Sequence, residues 1–101
     1  MDLKQLTKDV QKVSEGYSAH FKIKRDSDWF ILKLQEELGE LIQVYLMMIG
    51  QARAKGKTKK EMKADFDSEV ADVLGMILLL ASHFDVDIDK AMEEKWLKWN
   101  K

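Results

Sequence analysis

Two acidic pairs stand out among the residues able to do chemistry. They are Glu37 and Glu40, in Glu37-Leu38-Gly39-Glu40, and Glu69 and Asp72, in Glu69-Val70-Ala71-Asp72. Each pair has the spacing i, i+3, which on a helix puts both carboxylates on one face, about one turn apart. Both lie in or beside strongly apolar sequence, where charge is costly. Two like charges ~4 Å apart repel by roughly 4 kcal/mol at an effective dielectric of about 20. If the pairs face each other, a cation belongs between them. Mg2+, which takes oxygen ligands at ~2.1 Å, is the expected ion, with Mn2+ as an alternative.

One E-x-x-E alone says little, because Glu is a good helix former and such pairs are usually solvated. The combination says more, since Gly39 lies inside the first pair and Gly75 one turn after Asp72. A helix-interior Gly costs roughly 1 kcal/mol relative to Ala. Two such costs beside the acids predict a close backbone approach or space for a ligand. Ordinary tight helix packing would produce the same pattern.

The elements that must position these acids are helices. Leu, Lys, Glu, Met and Ala dominate, and Pro is absent. Leu3, Leu6, Val10 and Val13 form a narrow amphipathic stripe on a first helix from about Leu3 to Tyr17, with Asp2 and Gln5 as a weak capping box. A second helix is expected from Ser27 or Asp28 to about Arg53, roughly 40 Å long. Its second half is apolar nearly all round. Thr58 and Glu61 read as a capping box opening a third helix to about His83, apolar on most faces from Val70 to Ala81. Asp87 caps a fourth helix ending in Lys95-Trp96-Leu97-Lys98-Trp99.

The chain has 101 residues, enough for one domain with one modest core. There is no cysteine, which excludes disulfides, thiolate catalysis and a Cys-based zinc site within it. The net charge of −1 gives no argument for nucleic acid or an acidic membrane as partner. The first residues lack the apolar run and cleavage site of a signal peptide, and the longest fully apolar stretch, Met76–Ala81, is too short to span a bilayer. A cytoplasmic protein is therefore expected. Helices apolar on all sides need neighbours on all sides, which predicts a homodimer or homotetramer.

Lys33-Leu-Gln-Glu-Glu-Leu-Gly-Glu-Leu41, followed by Ser68-Glu-Val-Ala-Asp-Val-Leu74, resembles the MazG-type all-α nucleoside triphosphate pyrophosphohydrolases. The family signature is E-x-x-E, a variable spacer, then E-x-x-D. The resemblance covers roughly residues 29 to 100. It implies a four-helix bundle-like, oligomeric domain. It also implies magnesium-dependent cleavage of the α–β phosphoanhydride of a nucleoside triphosphate, giving a nucleoside monophosphate and pyrophosphate. By motif position Glu37, Glu40, Glu69 and Asp72 correspond to the metal-binding acids, and Glu36 is the extra acid before the first pair. Either Glu36 or Glu37 is the expected base. Phosphoribosyl-ATP pyrophosphohydrolases and dimeric dUTPases of the same superfamily are alternatives. The non-enzymatic alternative is a helical interaction module with a structural cation.

Other residues have two readings each. Lys95 falls where the family often carries a phosphate-binding lysine, but also suits a solvated helix end. Lys33 is a candidate substrate contact, or a partner for Glu36 or Glu37. Trp29, two turns before Glu37, could stack on a base or fill the core. Arg53, Lys55, Lys57, Lys59 and Lys60 read as a solvated turn, or otherwise a lip attracting phosphate. Trp96 and Trp99, an exposed-looking pair at i, i+3, read as docking the last helix. His20 and His83 share no metal-ligand spacing and read as structural, and Met47 and Met48 read as core.

Overall fold

Side-chain caps open every helix of the computed structural model, which describes residues 2–100. Helix α1 spans Leu3–Phe21, and the Gln5 amide donates to Asp2 Oδ1 at 2.7 Å. Helix α2 spans Ser27–Met48. Its cap is Asp26, which accepts from the Trp29 amide at 2.8 Å; Ser27 and Asp28, the expected caps, lie in its first turn. Helix α3 spans Lys59–His83 behind the expected capping box. The Glu61 amide donates to Thr58 Oγ1 at 3.1 Å, and the Thr58 amide to Glu61 Oε1 at 3.0 Å. Helix α4 spans Ile88–Lys95 behind Asp87, and a 3-10 turn, Leu97–Trp99, follows. No strand occurs among the described residues, so the architecture is all-α with four helices.

The first three helices end alike. At each, the chain reverses at a residue with left-handed backbone, and the next amide donates back across the last turn. At α2 this residue is Gly50, φ 75°, with the Gln51 amide bonded to the Leu46 carbonyl at 2.8 Å. The helix therefore stops at Met48, short of the expected Arg53. At α1 it is Lys22, φ 55°, and at α3 Asp85, φ 55°. Helix α1 consequently runs four residues beyond the expected Tyr17, to Phe21.

Helices α2 and α3 pack as a hairpin, and α1 lies against α3. Phe30, Met76 and Leu79 form the core, with Val10, Trp29, Leu34 and Leu80 packed on it. The four helices do not share this core. Helix α4 has its main contacts with the turn that follows it, and Trp96 and Trp99 are 66% and 75% exposed instead of docked. Eight residues are too few for α4 to cover the apolar faces beside it. The result is a slab of 46 × 42 × 24 Å with a radius of gyration of 16.1 Å. A compact chain of this length has about 13 Å. Ile31, Leu38, Ile42 and Tyr45 on α2, Ile49 at its end, and Val70, Leu74 and Ile77 on α3 remain exposed. No helix among the described residues is long and apolar enough to cross a membrane.

Candidate metal centre

The hairpin brings the two acidic pairs together. Glu37 of α2 and Glu69 and Asp72 of α3 each offer a carboxylate oxygen, all within 4.8 Å of one another. Glu36, Glu37 and Glu40 form a second such set, so Glu37 belongs to both. All four expected ligands thus lie in one linked cluster. Oε2 of Glu37 and Oε2 of Glu69 are buried and accept no hydrogen bond. A buried acceptor without a donor costs on the order of 1–3 kcal/mol, so each such atom asks for a partner.

The electrostatics match this crowding. Burial first, then the charges of Glu40 and Asp72, push the Glu37 carboxyl up to about 7. Protonated Glu37 can share its proton with Glu40. Burial, then Asp72 and Glu40, also raises Glu69. Lys33 offsets only part of this. Its Nζ donates to Glu36 Oε1 at 2.6 Å and lies 4.0 Å from Glu37 Oε1. The bond to Glu36 raises the Lys33 pKa, which keeps the ammonium charged.

Beside the acids lies a groove of about 570 Å3. Helix α2 contributes Trp29, Lys33 and Glu37, α3 contributes Asp72 and Gly75, and α1 closes the side with Val13 and Tyr17. Its lining joins the aromatic rings of Tyr17 and Trp29 to the carboxylates of Asp9, Glu37 and Asp72. A scan against protein-family models and searches of curated proteins and of solved structures find no match for this chain. The chemistry of the site therefore rests on its own geometry. Carboxylate oxygens converging from two helices, two of them buried and unpartnered, are the donor set that a hard divalent cation takes.

The remaining sequence candidates fall outside the cluster. Lys95 sits in the last turn of α4 and does not line the groove. The basic turn is solvated, with Lys57 paired to Asp65 and Arg53, Lys55, Lys59 and Lys60 exposed. His20 is exposed against the edge of Phe21. His83 is stacked on Phe30 and hydrogen-bonded to Ser27. Met47 and Met48 are only half-buried. The close backbone approach expected at the glycines is not found. A Cβ on Gly39 would meet nothing within 4 Å, and one on Gly75 would make an ordinary 3.7 Å contact with Val10.

Tyr17 and Asp9 also line the groove and were not among the sequence candidates. The place of Tyr17 on the stripe through Val10 and Val13, at i+7 and i+4, is readable from the sequence, but its place in the groove depends on how α1 packs on α3.

Proposed function

We propose that the protein is a magnesium-dependent nucleoside triphosphate pyrophosphohydrolase of the MazG-like type. It would cleave the α–β phosphoanhydride to a nucleoside monophosphate and pyrophosphate, in control of the cytoplasmic nucleotide pool. The convergence of Glu37 with Glu69 and Asp72 carries the reading. Four solvated acids on separate faces would not leave two carboxylate oxygens buried without donors.

In this reading Glu37, Glu40, Glu69 and Asp72 hold the ion. When bound, the ion neutralises charge on phosphate oxygens and activates water. The protein's own groups do the rest. A ligating carboxylate has its lone pairs engaged, so Glu36, solvated and next to the ligand set, is left to take the water's proton. Lys33 fixes Glu36 through its 2.6 Å bond and is a positioning residue. Trp29 and Tyr17, which line the same groove, offer faces on which a nucleobase stacks.

The same proposal includes a homodimer or homotetramer. The exposed rows on α2 and α3, and the flat shape, support it. Soluble monomers rarely leave an apolar patch of more than a few hundred Å2 open to water.

The test is pyrophosphate release from a panel of standard and modified nucleoside triphosphates, with Mg2+ and with chelator. At least one substrate should be turned over only with metal. Asp72→Asn, which keeps shape and removes one ligand charge, should lose most of that activity. No turnover by the parent across the panel, or full activity of Asp72→Asn, refutes the reading.

A further inference from the structure

Leu79, which lines the acidic groove, also lines a smaller cavity of about 180 Å3 between α1, the start of α2 and the end of α3. Gln11, Arg25, Phe30, Leu79, Ser82 and His83 line it. It differs from the groove in sign, because a guanidinium faces it and none of its lining residues is a carboxylate.

Arg25 is held without an anion. Its guanidinium carbon lies 5.0 Å from the Phe30 ring centroid and 5.7 Å from that of Trp29. It has no ion pair among the described residues, and its Nε is buried with no hydrogen-bond partner. Arginine carries five N–H donors in a planar fork and accepts nothing, so an unmet donor here can be met only by an incoming acceptor. The neighbours are also left as donors. Ser82 Oγ donates to Gln11 Oε1 at 3.3 Å, and the Gln11 amide NH2 has no hydrogen-bond partner among the described residues. Ser27 Oγ and His83 Nε2 share a hydrogen bond at 3.0 Å, and when Ser27 is its donor, Nδ1 carries the ring proton. Stacking on Phe30, with centroids 4.4 Å apart, fixes the imidazole plane.

We infer that this cavity is a binding site for a small oxyanion, of phosphate or carboxylate type, with Arg25 as its principal ligand. A turn of the guanidinium toward the cavity would bring the buried Nε and an Nη onto the anion as a bidentate pair, and the Gln11 amide would supply a further donor. The site is separate from the acidic cluster and needs no metal, so it stands whether or not the protein hydrolyses nucleotides.

The experiment titrates inorganic phosphate, and in a second arm acetate, into the full chain at fixed ionic strength with chelator present. The ring resonances of the two histidines are followed by NMR. His83 lines the cavity and His20 does not. The expected result is a saturable shift of His83 with one or both anions while His20 stays still. The stronger arm identifies the source of the oxyanion. Arg25→Gln and Gln11→Ala should weaken binding, the first at least tenfold. If Arg25→Gln does not fold, the parent titration and Gln11→Ala still decide. A His83 signal unmoved by both anions, or a shift equal in parent and Gln11→Ala or Arg25→Gln, overturns the proposal.

Discussion

Glu37 on α2 and Asp72 on α3 belong to different acidic pairs, yet a carboxylate oxygen of each lies within 4.8 Å of the other. Both sit where α1 completes a groove over the hairpin. The pairing accounts for the raised pKa of Glu37, to which Asp72 contributes after burial and Glu40. It also defines what the protein should do when protons, metal or a second copy change the charge and exposure there.

Protons should stabilise the metal-free protein. The folded Glu37 pKa of about 7 lies above the ordinary carboxyl value of 4.5. The folded state therefore binds a proton between these values that the unfolded chain releases. Stability is greatest at the acid end of this window and falls as pH rises through about 7, by on the order of 1 kcal/mol from this group once solvent screening is allowed for. Glu69 is shifted in the same direction and adds to the trend. Urea unfolding with chelator, at about pH 5 and about pH 8, measures the difference, and Glu37→Gln should reduce it. A parent profile that is flat or rising, or one unchanged in Glu37→Gln, contradicts the crowded cluster.

Lys22→Gly should stabilise the fold. Lys22 holds a left-handed backbone, φ 55°, at the end of α1, a conformation that costs an ordinary L-residue roughly 1–2 kcal/mol and glycine nothing. Part of that gain is lost to the greater freedom of glycine in the unfolded chain, leaving up to about 1 kcal/mol. The denaturation midpoint should rise. A midpoint lowered by the substitution would show that the lysine side chain contributes more than its backbone costs.

Ile42→Glu should dissociate the assembly. Ile42 is 49% exposed in the row that runs along α2 through Leu38 and Tyr45. A charge at the centre of an apolar interface has no partner there and costs several kcal/mol. Sedimentation should give a dimer or tetramer for the parent at micromolar concentration and a smaller species for the variant. A parent that sediments as a monodisperse monomer contradicts the assembly.

The helices were legible because their start signals act locally. Asp2, Thr58 and Asp87 bond amides three residues ahead, and short-range geometry suffices to read them. The end of α1 was not legible, because the reversing residue is Lys22, whose type carries no such signal. Gly50 does carry it, and the apolar run before it masked the stop. The meeting of the two acidic pairs could be anticipated from their common spacing and apolar setting. The wall that α1 adds could not, since Tyr17 reaches the groove only through the packing of α1 on α3. The cavity at Arg25 joins residues from three helices with no common spacing, so no sequence pattern marks it.

Metal-linked stability tests the central claim most directly. Mg2+ that binds only the folded cluster stabilises by RT ln(1 + [Mg2+]/Kd), about 2.7 kcal/mol at a hundredfold excess over Kd. Unfolding curves of the parent and of Glu37→Gln, with Mg2+ and with chelator at neutral pH, should differ in two ways. Without metal the variant should be the more stable, because its neutral amide relieves repulsion from Glu40 and Asp72. With metal the parent should gain stability and the variant markedly less. A parent unmoved by Mg2+, or equal gains in the two proteins, would mean that these carboxylates do not hold a divalent ion.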